Sequence, residues 1–201
     1  MFTIISYART MHVMTLDWSK FKASCLQLSD QCLAAGYRPA CIVGILNGGA
    51  YVARDMAASF PSVPVFSVEL RRPSTKKKSP ALGAVLRHMP RWLLDIMRMA
   101  ESRILEMKNN SRRLSHTVKL PQDIERFLSS RTDAHILLVD DAVDSGATMA
   151  SVAESIAIRF PGTHIHTAAI TVTTRHPIFI PDQSLFSNRT LIRFPWSIDA
   201  K

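Results

Sequence analysis

The stretch that decides the fold is ILLVDDAVDSGAT, residues 136–148. It opens with an apolar run of strand length and continues into two adjacent carboxylates, Asp140 and Asp141. A turn of small and acidic residues, 144–148, then leads into a segment with helical character. A buried strand that ends in polar groups and is followed by a tight turn and a helix is typical of the ligand-binding edge of an α/β sheet.

Outward from this stretch, strand-like and helix-like segments alternate along the chain. Strands are predicted over residues 40–46, 64–70, 135–141, 164–173 and 190–194, and helices over 50–60, 90–108, 121–130 and 147–160. A further helix is predicted between an N-cap at Asp17 and a terminating glycine at Gly36. This alternation predicts an α/β domain with a central, mostly parallel sheet flanked by helices.

Length and composition narrow the class of protein. The chain of 201 residues is long enough for one large domain with a continuous core. Its longest apolar runs have the length of strands, so no membrane span is predicted, and the first residues lack the pattern of a secretory signal. Cys25, Cys32 and Cys41 lack metal-ligand spacing and are predicted to be buried thiols in a reducing compartment. A cytoplasmic protein is therefore expected.

The net charge of +9 is concentrated in one segment of the chain. Residues 71–119 carry 13 Lys or Arg against 3 Asp or Glu. Such a block is compatible with nucleic acid, an acidic membrane surface, an anionic small molecule or a solvated face. Charge alone does not decide among these partners.

The turn at 144–148 has the chemistry of an anion site. Backbone N–H groups at Gly146 and Ala147 can approach a phosphate closely, and the hydroxyls of Ser145 and Thr148 can donate hydrogen bonds to it. The two carboxylates that precede the turn are poor neighbours for a phosphate, but they suit the hydroxyls of a vicinal diol. A sugar phosphate satisfies both halves of the stretch.

Residues 136–148 resemble the phosphoribosyl pyrophosphate signature of the type I phosphoribosyltransferases, in which a hydrophobic strand precedes two acids, a third acid and a Ser/Thr-Gly-x-Thr loop. Every signature position is matched. Residues 44–49, GILNGG, look like the pyrophosphate loop of that family. Residues 194–196, FPW, resemble the closing segment of the purine-salvage branch of hypoxanthine/xanthine-guanine type. The three features are spread over most of the chain.

The resemblance implies the type I phosphoribosyltransferase fold with a small hood built from both ends of the chain. Residues 1–201 would form a single domain, with a basic lid loop at about 71–83, an added helix at about 90–108 and a hood at about 174–201 joined by part of 1–20. Because members of the family are commonly dimers, a homodimer is expected.

The resemblance also assigns roles to residues of the site. The residues that would hold the 5′-phosphate of phosphoribosyl pyrophosphate are Asp144, Ser145, Gly146, Ala147 and Thr148. The ribose hydroxyls would be held by Asp140 and Asp141, directly or through Mg²⁺. The residues that would face the pyrophosphate are Leu46, Asn47, Gly48 and Gly49. Asp144 is the predicted catalytic residue, since its carboxylate can accept or share a proton of the base ring. The predicted lid residues are Lys76, Lys77 and Lys78, and those near the base are Arg175, His176 and Trp196.

Two positions depart from the family pattern. The family usually has Lys or Arg where this chain has Asn47, so a cation that would stabilise the leaving pyrophosphate is absent from that position, which leaves turnover open. Members that use 6-oxopurines usually have a Lys just before a Pro in the turn that leads to the hood. Here that turn contains Thr174, Arg175, His176 and Pro177.

Three functions are compatible with these residues. The first is an enzyme that joins a purine-like base to phosphoribosyl pyrophosphate and releases pyrophosphate. The second is a non-catalytic protein that senses the sugar phosphate, which Asn47 and the basic segment would favour. The third is an enzyme of a specialised pathway with a different acceptor or ribosyl donor, which the divergent turn would favour.

Histidines in one strand complete the set of candidate residues. His164 and His166 fall on the same face of the strand predicted at 164–173. No further Cys, His or carboxylate stands nearby in the sequence to complete a zinc site, so both are predicted to be structural.

Overall fold

The computed structural model of the protein describes residues 12–70, 118–187 and 190–197. The lid lysines Lys76, Lys77 and Lys78, and the helix predicted at 90–108, lie outside the described residues. In chain order the described helices and strands are β1 (His12–Thr15), α1 (Trp18–Ala34), β2 (Cys41–Ile45), α2 (Gly48–Met56), β3 (Val65–Val68), α3 (Gln122–Ser129), β4 (His135–Val143), α4 (Ala147–Arg159), β5 (His164–Val172), β6 (Gln183–Phe186) and β7 (Thr190–Arg193). A short 3₁₀ turn, Ala57–Ser59, extends α2.

Five strands form the central sheet in the order β3-β2-β4-β5-β6, and each of their pairings is parallel. The order of the strands changes direction between β2 and β4. The crevice at the carboxyl ends of these two strands is therefore the topological switch point at which α/β sheets bind their ligands. The predicted fold, a mostly parallel sheet flanked by helices, is confirmed.

Side chains of the central strands alternate between two hydrophobic cores, one on each face of the sheet. On one face, Val43 and Leu138 belong to a core completed by α3 and α4. On the other, Ile42 and Leu137 belong to a core completed by α1 and α2. Because helices cover both faces, the central strands are apolar along nearly their whole length, as the sequence shows.

β1 and β7, which lie in the two segments predicted to form a hood, pair as a separate two-stranded parallel sheet, called the hood sheet below. The N–H of Leu16 donates to the carbonyl of Arg193 at 2.9 Å, which extends this pairing. The Thr171 hydroxyl, close to the carboxyl end of β5, donates to the carbonyl of Thr190 at 2.8 Å. This hydrogen bond fixes the hood near the edge of the sheet where the switch point lies.

Part of the segment predicted to form the hood joins the central sheet instead. Residues 183–186 pair with β5 as its outer strand. The preceding residue, Asp182, accepts hydrogen bonds from the N–H and the hydroxyl of Thr167 at 2.7 and 2.8 Å. These bonds set the position of β6 against β5.

Most predicted elements agree with the structure to within two residues, and the differences matter at the site. The strand predicted at 135–141 continues to Val143, so both acids that were expected to end it lie within it. The helix predicted from residue 50 begins at Gly48. The sequence pattern indicates neither β1 nor β6. In the part of the chain that the structure describes, no helix is long and apolar enough to cross a membrane.

Candidate active site

Two loops predicted to bind parts of one ligand meet at the switch point. The loop 46–49 follows β2, and the stretch 140–148 contains the last residues of β4 and the start of α4. Since β2 and β4 are neighbours with parallel register, Gly44 opposite Val139, their carboxyl ends open on the same crevice. The structure therefore brings together the residues predicted to bind pyrophosphate and ribose.

Glycines allow these two loops to pack closely. A Cβ atom on Gly48 would overlap the carboxylate of Asp141, and one on Gly49 would lie 2.6 Å from the carbonyl oxygen of Val139. Both glycines are buried at the start of α2. The contact between Gly48 and Asp141 joins the predicted pyrophosphate loop directly to one of the predicted ribose carboxylates.

Acidic side chains give the crevice a concentrated negative charge. The N–H of Asp141 donates to Oδ1 of Asp140 at 2.9 Å. Burial raises the pKa of the Asp141 carboxyl above its ordinary value, and the charge of Asp144 acts in the same direction. Ionisation of these carboxylates together is costly without hydroxyl donors or a cation. Asp140 and Asp141 fit the predicted Mg²⁺, which proteins bind through one or two carboxylates together with substrate phosphates.

The turn 144–148 has the geometry of an anion site. Gly146 adopts a left-handed conformation with φ of 80°, and α4 begins at the next residue. The N–H of Ala147 donates to Oγ of Ser145 at 3.2 Å. The amide of Ala147 thus has a partner within the loop, while the start of α4 places the positive end of the helix dipole beside the crevice. Thr148 lies half-buried in the first turn of α4.

The segment that follows β5 packs against the turn 144–148. The N–H of Ile178 donates to the carbonyl of Ser145 at 2.8 Å. A side chain at Gly146 would overlap the carbonyl oxygen of Phe179. Gly146 is thus required both for its positive φ and because the backbone at residue 179 leaves no room for a Cβ.

Asp144, the predicted catalytic residue, is exposed and accepts a hydrogen bond from a residue that no sequence motif indicates. The hydroxyl of the buried Thr173 donates a short hydrogen bond to Oδ1 of Asp144. The N–H of Thr173 donates to the carbonyl of Val143 at 3.0 Å, which fixes the donor next to the end of β4. The signal that could have revealed Thr173 is its place just beyond the end of the strand adjacent to β4.

The three residues predicted to contact the base are found in two places. Arg175 and His176 are exposed in the segment that follows β5, where the N–H of His176 donates to the hydroxyl of Thr174 at 3.1 Å. Trp196 is half-buried and stacks on Phe194 and on Tyr51, with ring centroids 4.9 and 4.6 Å apart. Tyr51 lies on α2, three residues after Gly48, so Trp196 packs beside the helix that follows the predicted pyrophosphate loop.

Comparison with known proteins places the chain in a family. Residues 14–198 match the family model described as the phosphoribosyl transferase domain. The chain belongs to the phosphoribosyltransferase family, as the sequence motifs predicted. No curated protein matches it significantly at the level of sequence.

Solved structures with a similar fold include purine phosphoribosyltransferases. The purine phosphoribosyltransferase from Pyrococcus horikoshii is 17% identical, with a TM-score of 0.58 over 92% of this chain and 94% of that one. The xanthine-guanine-hypoxanthine phosphoribosyltransferase from Helicobacter pylori is 15% identical, with a TM-score of 0.56 over 92% and 93%. A hypothetical protein from Neisseria gonorrhoeae with bound ppGpp is 15% identical, with a TM-score of 0.59 over 94% and 91%. At these identities the likeness shows the fold alone.

Proposed function

We propose that this protein transfers the 5-phosphoribosyl group of phosphoribosyl pyrophosphate to a purine-like base and releases pyrophosphate. The observation that carries the proposal is the contact between the two loops at the switch point, where Gly48 packs against Asp141. One ligand that carries a pyrophosphate, a ribose and a 5′-phosphate can reach the loop 46–49, the two carboxylates of β4 and the turn 144–148 at once.

Each group would act on a different part of the ligand. The amides at the start of α4, with the hydroxyls of Ser145 and Thr148, would hold the 5′-phosphate, and Asp140 and Asp141 would accept hydrogen bonds from the ribose hydroxyls. In the reaction the bond between C1 of the ribose and the pyrophosphate oxygen breaks, and a bond from C1 to a base nitrogen forms. The chain would contribute mainly by positioning these groups. Mg²⁺ bound beside Asp140 and Asp141 would neutralise charge on the leaving pyrophosphate.

The proton released by the base would pass to Asp144. Its carboxylate is exposed and is oriented by the Thr173 hydroxyl, so it would accept a proton without first having to reorient. Arg175 or His176 would donate to an exocyclic oxygen of the base. A homodimer, a cytoplasmic location and a lid formed by Lys76, Lys77 and Lys78 remain predictions.

A second candidate function is binding without turnover. Asn47 supplies no positive charge at the predicted pyrophosphate loop, and the similar Neisseria gonorrhoeae structure holds ppGpp. A sensor of this kind would use the same switch-point crevice. A third candidate, an enzyme with a different acceptor or ribosyl donor, is favoured by the divergent sequence of the turn at 174–177.

The experiment that separates these functions measures pyrophosphate release from phosphoribosyl pyrophosphate and Mg²⁺ across a panel of purine and pyrimidine bases. A calorimetric titration of phosphoribosyl pyrophosphate alone runs in parallel. Release that depends on one class of base supports the transferase. Binding without release supports a sensor or an acceptor outside the panel, and the absence of both would contradict the assignment of the crevice.

A further inference from the structure

A second group of ligand-type side chains lies at the opposite edge of the sheet, away from the switch point. Asp133 precedes β4, while His135 and His164 are the first residues of β4 and β5. One ligand atom from each of these three side chains lies within 4.8 Å of the other two. His135 and Asp140 are five residues apart in one strand, so this group lies about 16 Å from the predicted ribose carboxylates.

The sheet itself brings the two histidines together. His135 and His164 are register partners in the parallel pairing of β4 with β5, and their rings stack with centroids 4.7 Å apart. Their proximity therefore follows from the backbone register and does not depend on one particular side-chain rotamer. The sequence predicts a structural role for His164 because the partner histidine and the carboxylate are about 30 residues away in the chain.

The carboxylate is already directed at one imidazole. Nε2 of His164 lies 3.0 Å from Oδ1 of Asp133. A metal ion bound by both groups would lie between these two atoms, which are the ligand atoms that an imidazole and a carboxylate offer. The Asp133 and His164 side chains are 71% and 60% exposed, so both can rotate to shorten the distances that coordination requires.

We propose that Asp133, His135 and His164 form a site for a divalent transition metal of the zinc class, separate from the predicted magnesium site. Two imidazole nitrogens and one carboxylate oxygen suit Zn²⁺, Co²⁺ or Ni²⁺, whereas Mg²⁺ prefers oxygen ligands only. Water would complete the coordination, because two of the three ligands face solvent. The ion would tie the bend at Asp133 to the first residues of β4 and β5.

A neighbouring histidine, whose ring also stacks on that of His135, provides a matched control. His166 lies two residues beyond His164, and its ring centroid is 5.9 Å from that of His135. Its own ring stacks on Tyr37 at 4.0 Å, and it is not a member of the three-ligand group. Replacement of His166 changes the ring stacking around His135 and leaves the three proposed ligands in place.

The test is a calorimetric titration of untagged, chelator-treated protein with Zn²⁺ in the presence of excess Mg²⁺. We expect one ion per chain, affinity at least tenfold weaker in His164→Gln and in Asp133→Asn, and unchanged affinity in His166→Gln. Bound Co²⁺ is expected to give a visible absorption band that His164→Gln loses. Both substituted ligands are exposed, and circular dichroism confirms that each variant is folded.

Three results would overturn the proposal. They are the absence of Zn²⁺ binding by the folded wild-type protein, equal affinity in wild type and His164→Gln, and release of Zn²⁺ by excess Mg²⁺. Equal affinity would place the ion at other residues of the chain. The site does not depend on the transferase proposal, since its readout is metal binding and not turnover.

Discussion

At the scale of single residues, the hydrogen bond between Thr173 and Asp144 connects the end of β5 to the predicted proton acceptor. Thr173→Val keeps the volume of the buried side chain and deletes only the donor. A hydrogen bond to a charged group contributes about 1.5–3 kcal/mol, so kcat is expected to fall at least tenfold while the KM for phosphoribosyl pyrophosphate changes little. Thr173→Ser is expected to restore most of the rate. An unchanged kcat in the valine variant would remove Thr173 from the site.

Thr148 offers a separate test of the phosphate loop. Thr148→Val removes a hydroxyl predicted to donate to the 5′-phosphate and keeps the shape of the side chain. Loss of one hydrogen bond to a charged group is expected to weaken binding of ribose 5-phosphate roughly 10- to 150-fold, and Thr148→Ser to leave it nearly unchanged. Calorimetry measures both variants directly. Equal affinity of Thr148→Val and wild type would count against the loop assignment.

Asn47 tests whether the missing cation limits the reaction. Asn47 is exposed at the start of the loop that contacts Asp141 through Gly48, so a longer side chain at residue 47 can extend into the crevice. Asn47→Lys is expected to raise turnover if charge on the leaving pyrophosphate is poorly compensated, and Asn47→Gln serves as the uncharged control. Lower activity in the lysine variant would show that the amide of Asn47 has a role of its own.

At the scale of elements, the first two positions of α2, Gly48 and Gly49, have no room for a Cβ atom because β4 packs against them. In Gly48→Ala the new methyl group must displace the carboxylate of Asp141, and we expect the affinity for phosphoribosyl pyrophosphate to fall at least tenfold. Gly36→Ala is the matched control, since Gly36 has φ of 85° and no neighbour within 4 Å. That control is expected to lose about 1–2 kcal/mol of stability and to keep its affinity. Similar affinities in the two variants would contradict the tight contact.

The elements that sequence patterns predicted are those with strong local signals. A capping side chain at Asp17 and a continuous apolar run at 136–139 specify α1 and β4 with little help from the rest of the chain. By contrast, β1 and β6 are four residues each, and each exists because of a distant partner. β6 depends on Asp182 meeting Thr167, and β1 depends on pairing with β7. No local pattern encodes such contacts.

The difference between local signals and distant contacts also explains which parts of the site the sequence predicted. The turn 144–148 and the carboxylates of β4 are contiguous, so their composition alone indicates a sugar phosphate. Thr173 reaches Asp144 across 29 residues, and His164 reaches Asp133 only through the register of two strands. Contacts of this kind need the order of the strands in the sheet, which alternating segments do not determine.

At the scale of the whole molecule, three cysteines in the core couple stability to alkaline pH. Burial raises the pKa of the Cys25, Cys32 and Cys41 thiols from 9.0 to about 12. The neutral thiol is the form that folding favours, so its stabilising effect is complete below about pH 9 and is lost as pH rises toward 12.

We therefore expect the free energy of unfolding to fall above about pH 9, by up to about 1.4 kcal/mol per pH unit for each thiol. Urea denaturation at a series of pH values measures this slope. In Cys41→Ala the fall of the free energy of unfolding with pH is expected to be smaller than in wild type by the contribution of one thiol. All other ionisable groups are the same in the two proteins. Parallel slopes for the variant and wild type would show that Cys41 does not contribute.

The hood sheet joins residues made at very different times during protein synthesis. His12 in β1 and Thr190 in β7 are register partners, and the Arg193 guanidinium lies 3.4 Å from the hydroxyl of Thr15, 178 residues away in the chain. β1 leaves the ribosome early and has no strand to pair with until nearly all of the central sheet has followed it. Released chains truncated just before residue 190 should therefore resist protease over β2 to β5 and remain open to cleavage at β1.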